Sequence, residues 1–150
     1  MATEDEKKKA ASAEIKSIAQ EAEATRSRVS ALQEQLSDLG IDDKVVKEFS
    51  KIQNYSAKIN TLAEDFDRNQ HSWNSVLKQG NNIRGIGAFM QAHVNDLIAQ
   101  GVSEEDDRVK MLVKGIQRVK EMGGHYDKLL DIAAKLDKST AMFTNMKKFI

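Results

Sequence analysis

Three histidines, His71, His93 and His125, are the side chains best suited to hold a metal or move a proton near neutral pH. No two of them stand three or four residues apart, and none has a carboxylate three residues before it. A metal site on helices needs ligands that project from one face at such offsets. The spacing therefore predicts capped, solvated or partly buried histidines, with no resident metal and no cofactor. The acidic run Glu104-Glu105-Asp106-Asp107 lacks the alternating ligands, central glycine and closing glutamate of a calcium loop, and reads as helix capping. The hydroxyl residues form no nucleophile elbow, and no cysteine is present to act as nucleophile or thiolate ligand. No enzyme is expected.

Two glycine pairs remain as functional candidates. Gly85 and Gly87, in Ile83-Arg-Gly-Ile-Gly-Ala-Phe-Met90, lack Gly-x-Gly-x-x-Gly spacing and a preceding strand, so they do not form a phosphate loop. They predict close helix packing, or a start of helix delayed until Ala88. The functional alternative is a pliable apolar segment, with Phe89, that meets a membrane or a partner. Gly123-Gly124 costs about 2 kcal/mol in a helix interior relative to two alanines, and predicts a kink, a short break or a hinge. The C-terminal stretch Ala141–Ile150 places Met142, Phe143, Met146 and Phe149 beside Lys147 and Lys148. It reads as a core-facing last turn, with a partner-docking helix or an interfacial membrane anchor as the functional alternatives. Trp73, the single tryptophan, reads as a core plug.

These residues must be positioned by helices. The chain has no proline in 150 residues, is 40% hydrophobic and 31% charged, and shows no alternating stretch long enough for a strand. From Ala11 to Leu39 apolar residues recur in 4-3 spacing: Ala11, Ile15, Ile18, Ala22, Val29, Leu32, Leu36 and Leu39, interrupted by Thr25. Such a seam demands partner helices. Ile15, Ile18, Val29, Leu32 and Leu36 are assigned as an association seam.

Gly40, Ile41 and Asp42 predict a Schellman stop and a new N-cap, hence a helical hairpin. A second helix is expected over about 43–78, with Val45, Phe49, Ile52, Ser56, Ile59, Ala63, Phe66, Gln70, Trp73 and Leu77 on its seam, widened by Tyr55, Leu62 and Val76. Thr25, Ser56 and Gln70, polar residues in apolar seams, are assigned to register or partner choice. Gln79-Gly80-Asn81-Asn82 predicts a break before a third helix, which Gly101 and Val102 should stop. Ser103 is expected to cap a fourth helix and His125 to open a fifth.

The expected architecture is all-α: an elongated antiparallel bundle of four to five helices, with a long N-terminal hairpin of coiled-coil character. Residues 1–9 form a charged flexible lead-in, and residues 10–150 one domain. Lysine plus arginine and aspartate plus glutamate both number 23, so no net field draws the chain to nucleic acid. The N-terminus lacks the apolar core of a signal peptide, and no apolar run approaches a membrane span, so a cytoplasmic location is expected. The function expected is protein–protein association without catalysis, as a homo-oligomer or a subunit of a larger complex. The alternative is a bundle that rearranges to bind or permeabilise membranes.

Overall fold

A computed structural model describes residues 3–68 and 73–136 of the chain. Gln70, His71, Met142, Phe143, Met146 and Phe149, to which roles were assigned above, lie outside the described residues, as does the C-terminal stretch of the expected fifth helix. Among the described residues there are four α-helices and no strand: α1 (Glu4–Asp38), α2 (Asp43–Asp67), α3 (Trp73–Ala99) and α4 (Asp107–Leu136). The all-α bundle with a long N-terminal hairpin is the fold. At 1.5 Å per residue, α1 is about 50 Å long.

Helix α1 starts seven residues before the first residue of its apolar seam, Ala11. Thr3 forms a capping box with Glu6: its hydroxyl accepts from the Glu6 backbone N–H, and the Glu6 carboxylate accepts from the Thr3 N–H. The charged segment expected as a flexible lead-in is thus helical from Glu4 onward, with residues 5–9 exposed.

The first reversal follows from residue types as expected. Gly40 takes φ +76°, the Ile41 N–H donates to the Leu36 carbonyl at 3.1 Å, and the Gly40 N–H donates to the Ser37 carbonyl at 3.0 Å. Those two bonds define a Schellman stop. Asp42 then accepts from the Lys44 N–H at 2.9 Å and caps α2. Gly101, at φ +93°, ends α3 with the same pair of bonds, from Val102 to the Leu97 carbonyl and from Gly101 to the Ile98 carbonyl.

Three boundaries differ from the sequence reading. The second helix ends at Asp67, where the Arg68 N–H turns back to the Asp65 and Phe66 carbonyls, and not near Lys78. Helix α3 begins at Trp73 and continues through Gly80, Asn81 and Asn82, where a break was expected. A glycine and two asparagines raise helix cost by about 2 kcal/mol together, and the packing of Trp73 and Ile83 against the core offsets this. Helix α4 likewise runs unbroken through Gly123-Gly124, anchored on both sides by buried Met122, His125 and Tyr126. The expected fourth and fifth helices are therefore one rod.

The start of α4 is also corrected. Ser103 Oγ accepts from the Glu105 N–H at 3.1 Å within a turn, while Asp106 Oδ1 accepts from the Arg108 N–H at 2.9 Å and caps the helix. Arg108 also chelates Asp106 through its guanidinium, and Lys110 pairs with Glu105 at 3.0 Å. These pairs form around a helix that starts at Asp107, three residues later than a Ser103 cap would place it.

The helices run up-down-up-down. Helix α1 packs along α2 and α4, and α3 packs along α4, whereas α2 and α3 touch only slightly. The molecule is thus two helical hairpins, α1–α2 and α3–α4, joined mainly where α1 meets α4. One continuous core fills both hairpins.

Candidate functional surface

The α1 seam is satisfied inside the chain. Ile15, Ile18, Val29, Leu32 and Leu36 are all buried, against a bundle that the chain closes with its own helices. Thr25 and Ser56 are buried with them, and each has a specific partner across a helix interface.

Ser56 belongs to the α1–α2 interface. Its hydroxyl donates to Glu23 Oε2 at 3.3 Å, and Arg26 holds the Glu23 carboxyl below the usual carboxylate range. Further along the same interface, Gln53 Nε2 donates to Gln33 Oε1 at 2.8 Å, and Gln33 Nε2 to the Val46 carbonyl at 3.0 Å. At the opposite end of the hairpin Asp67 takes Lys16 at 2.9 Å and the Ser12 hydroxyl. This amide and carboxylate ladder fixes the register of α1 on α2.

Thr25 belongs to the α1–α4 interface, the junction of the two hairpins. Its Oγ1 lies 3.0 Å from Nε2 of His125, in a hydrogen bond buried on both sides. The same hydroxyl also reaches the Glu21 carbonyl one turn back, at 3.2 Å. Around this pair stand Glu21, whose Oε2 lies 3.6 Å from His125 Nδ1 and 3.1 Å from Lys128 Nζ, and Glu121, which pairs with Arg28 and Arg118. Burial pushes the imidazole below its ordinary value; Glu21 and Glu121 oppose this, and Lys128 reinforces it. One residue on, the Tyr126 hydroxyl donates to the Tyr55 carbonyl at 2.7 Å and ties α4 to α2, with the two rings edge to face. Burial drives the Tyr126 phenol far above its ordinary value, so it stays a neutral donor.

Glu21 and Lys128 line a shallow recess of about 270 Å3 between α1 and α4, and Lys16, Glu23 and Asp67 line one of about 520 Å3 between α1 and α2. A mainly apolar, open groove of about 520 Å3 lies between α3 and α4. Its floor is Ile83, Ile116 and Val119, its walls are Gly87, Ala88, Gly123 and Gly124, and Arg84, Lys120 and Asp127 stand on the rim. The sequence reading singled out Gly87, Gly123 and Gly124 separately, and the fold brings them to one face. Gly85 lies on α3 away from the groove walls.

The fold itself does not require these glycines. A Cβ on Gly87 or Gly123 would meet Val119 or Ile83 at ordinary contact distance, 3.6 and 3.7 Å, and one on Gly85 or Gly124 would meet nothing within 4 Å. Gly115, which spacing alone did not single out, is the opposite case. The Phe49 ring packs onto its Cα, and a Cβ there would lie 2.6 Å from Phe49 Cε1 and nearer still to Cζ.

Three large apolar side chains of the described residues are substantially exposed: Phe89 at 43%, Ile98 at 40% and Val113 at 40%. Ile98 and Val113 each stand seven residues from a groove position, Gln91 and Lys120, so they extend the groove line along the same helix faces. Phe89 follows Gly85 on the neighbouring face of α3. Among the described residues no three histidine, aspartate or glutamate side chains gather as a metal would require, and no helix is long and apolar enough to cross a membrane. No family model matches the chain, and no curated protein and no solved structure is found to be similar to it.

Proposed function

We propose that the chain is a non-catalytic helical bundle that acts by protein–protein association, its partner being a second copy of itself seated on the α3–α4 groove. The observation that carries this is the groove with its glycines. Each glycine in a helix interior costs about 1 kcal/mol relative to alanine, and at Gly87, Gly123 and Gly124 the fold leaves room for the larger residue. Small walls let another helix approach closely, and exposed Ile98 and Val113 add apolar surface beside them. A two-fold contact sets one patch against its own copy. The rim carries Lys120 and Arg84 as well as Asp127, and the chain has no net charge, so two copies meet without like-charge repulsion.

The test is light scattering across a concentration series, with Gly124→Leu and the pair Ile98→Lys/Val113→Lys beside the unaltered chain. The unaltered chain should rise from 16.8 kDa towards twice that mass, and both variants should stay at the single-chain mass with helicity intact. A chain that holds 16.8 kDa throughout refutes self-association.

A second reading, rearrangement onto a membrane, draws support from Phe89, which is exposed one turn after Gly85. Flotation with neutral and anionic liposomes tests it: binding that Phe89→Ser abolishes supports this reading, and protein left wholly in the soluble fraction counts against it.

A further inference from the structure

The two hairpins are joined across a seam that holds a buried histidine, which neither hairpin's own seam does among the described residues. Within α3–α4 the buried contacts are Ile83, Ile86, Met90 and Val94 against Leu112, Ile116 and Val119, all apolar. Where α1 meets α4, the same depth of core holds Thr25 and His125, with Nε2 and Oγ1 3.0 Å apart. His125 is the one buried histidine among the described residues; His93 is partly buried on α3.

We propose that the Thr25–His125 pair is an acid-sensitive latch between the hairpins, which releases α1 from α4 when the imidazole takes up a second proton. The chemistry follows from what surrounds the ring. The Thr25 hydroxyl donates to the Glu21 carbonyl, so it accepts from Nε2–H of the neutral ring and a second proton enters at Nδ1. A doubly protonated ring carries a charge that the buried side of the interface cannot solvate. The charged groups that face it are Glu21 from α1 and Glu121 and Lys128 from α4, with Arg28 and Arg118 already engaged by Glu121. What α2 sends to this level is Tyr55, whose carbonyl is taken by Tyr126. Glu21 is the nearest carboxylate, but at 3.6 Å from Nδ1 it is beyond hydrogen-bond reach, and Lys128 already claims it at 3.1 Å.

Burial outweighs the two carboxylates, so the ring binds its proton less readily when the seam is closed than when it is open. The open form therefore binds more protons in acid. The closed seam has its full stability above the ordinary histidine value of 6.5 and loses it as the pH falls through the depressed value. Neither hairpin's own seam holds a buried histidine among the described residues, so the helices should survive the release. This inference stands apart from the self-association reading, because it concerns a seam inside one chain.

The absence of cysteine makes the test clean. Spin labels on Ala31→Cys in α1 and Lys114→Cys in α4, both exposed positions, report the separation of the hairpins. Measurement runs from about pH 7.5 down to about pH 5, the range where histidine titrates and most carboxylates stay ionised. The labels should move apart on acidification while far-UV circular dichroism holds constant, and His125→Gln should abolish the movement. Lys128→Gln gives an independent reading. Removing that cation frees Glu21 for the imidazole and should move the release to lower pH, whereas the mere loss of a surface ion pair would move it to higher pH. Constant distances across the range, loss of helicity together with the movement, or a shift to higher pH in Lys128→Gln would overturn the latch.

Discussion

Gly115→Ala should destabilise the protein, although the same exchange at Gly124 should stabilise it. Both glycines lie in α4 with ordinary helical backbone, so both exchanges gain about 1 kcal/mol of helix propensity. They differ in what the new methyl meets. At Gly124 it meets nothing within 4 Å. At Gly115 it would lie 2.6 Å from Phe49 Cε1, and the Phe49 ring is wholly buried. To restore normal contact the ring must retreat by about 1 Å into a core packed like an organic crystal. Overpacking of this kind costs about 1–3 kcal/mol. The clash involves two ring atoms and a fully buried side chain, which places the cost in the upper part of that range. The net loss is then about 1–2 kcal/mol.

In urea, with a slope of about 1–3 kcal/mol per molar, the Gly115→Ala midpoint should fall by about 0.5–1 M at unchanged slope. The Gly124→Ala midpoint should rise. Phe49→Leu, made in the Gly115→Ala background, should cost about 1 kcal/mol less than in the parent, since the shorter side chain relieves the clash. A raised midpoint for Gly115→Ala, or zero coupling with Phe49→Leu, would refute the packing argument.

Other perturbations follow from single contacts. Tyr126→Phe keeps the ring and removes the donor to the Tyr55 carbonyl, so thermal unfolding should show a loss of about 1 kcal/mol. Gly40→Ala meets no steric obstacle but forces a side chain into φ +76°; denaturation should register a loss of about 1 kcal/mol. Asp106→Ala should weaken α4 more than Ser103→Ala, because Asp106 is the cap and Ser103 only closes the preceding turn. The Asp106 carboxyl is held below its usual range by Arg108, so its contribution should persist above about pH 4 and fade as the pH falls through the depressed value.

Local chemistry made much of this fold legible. The period of the α1 seam identified a buried face from Ala11 to Leu36, and Gly40-Ile41 and Gly101-Val102 marked both Schellman stops, because each device acts within six residues. The division between α2 and α3 was hidden for a physical reason. Phe66 and Trp73 stay in one apolar register across the boundary and pack on each other, centroids 6.4 Å apart, so periodicity reads straight through it. Gly80 to Asn82 and Gly123-Gly124 looked like breaks because propensity was the only information, and tertiary packing overrode it. The candidate surface was half visible. Its glycines stood out as residue types, but their convergence on one groove depends on how α3 aligns with α4. Thr25 stood out as a polar interruption, while its partner His125 lies 100 residues away. The fit of Phe49 on Gly115 carried no sequence signal at all.

The slight contact between α2 and α3 has a consequence for how the chain reaches its native state. Most of the packing joins helices that are neighbours in sequence, and such local topologies fold in microseconds to milliseconds. Each hairpin is already reversed by its own glycine turn, so each can zip before the other exists. Docking of α1 on α4 is then the late, non-local step, and a pre-formed hairpin can dock as readily on a neighbouring molecule. Refolding at high concentration should yield chains that have exchanged hairpins, held by the same native contacts between two molecules instead of within one.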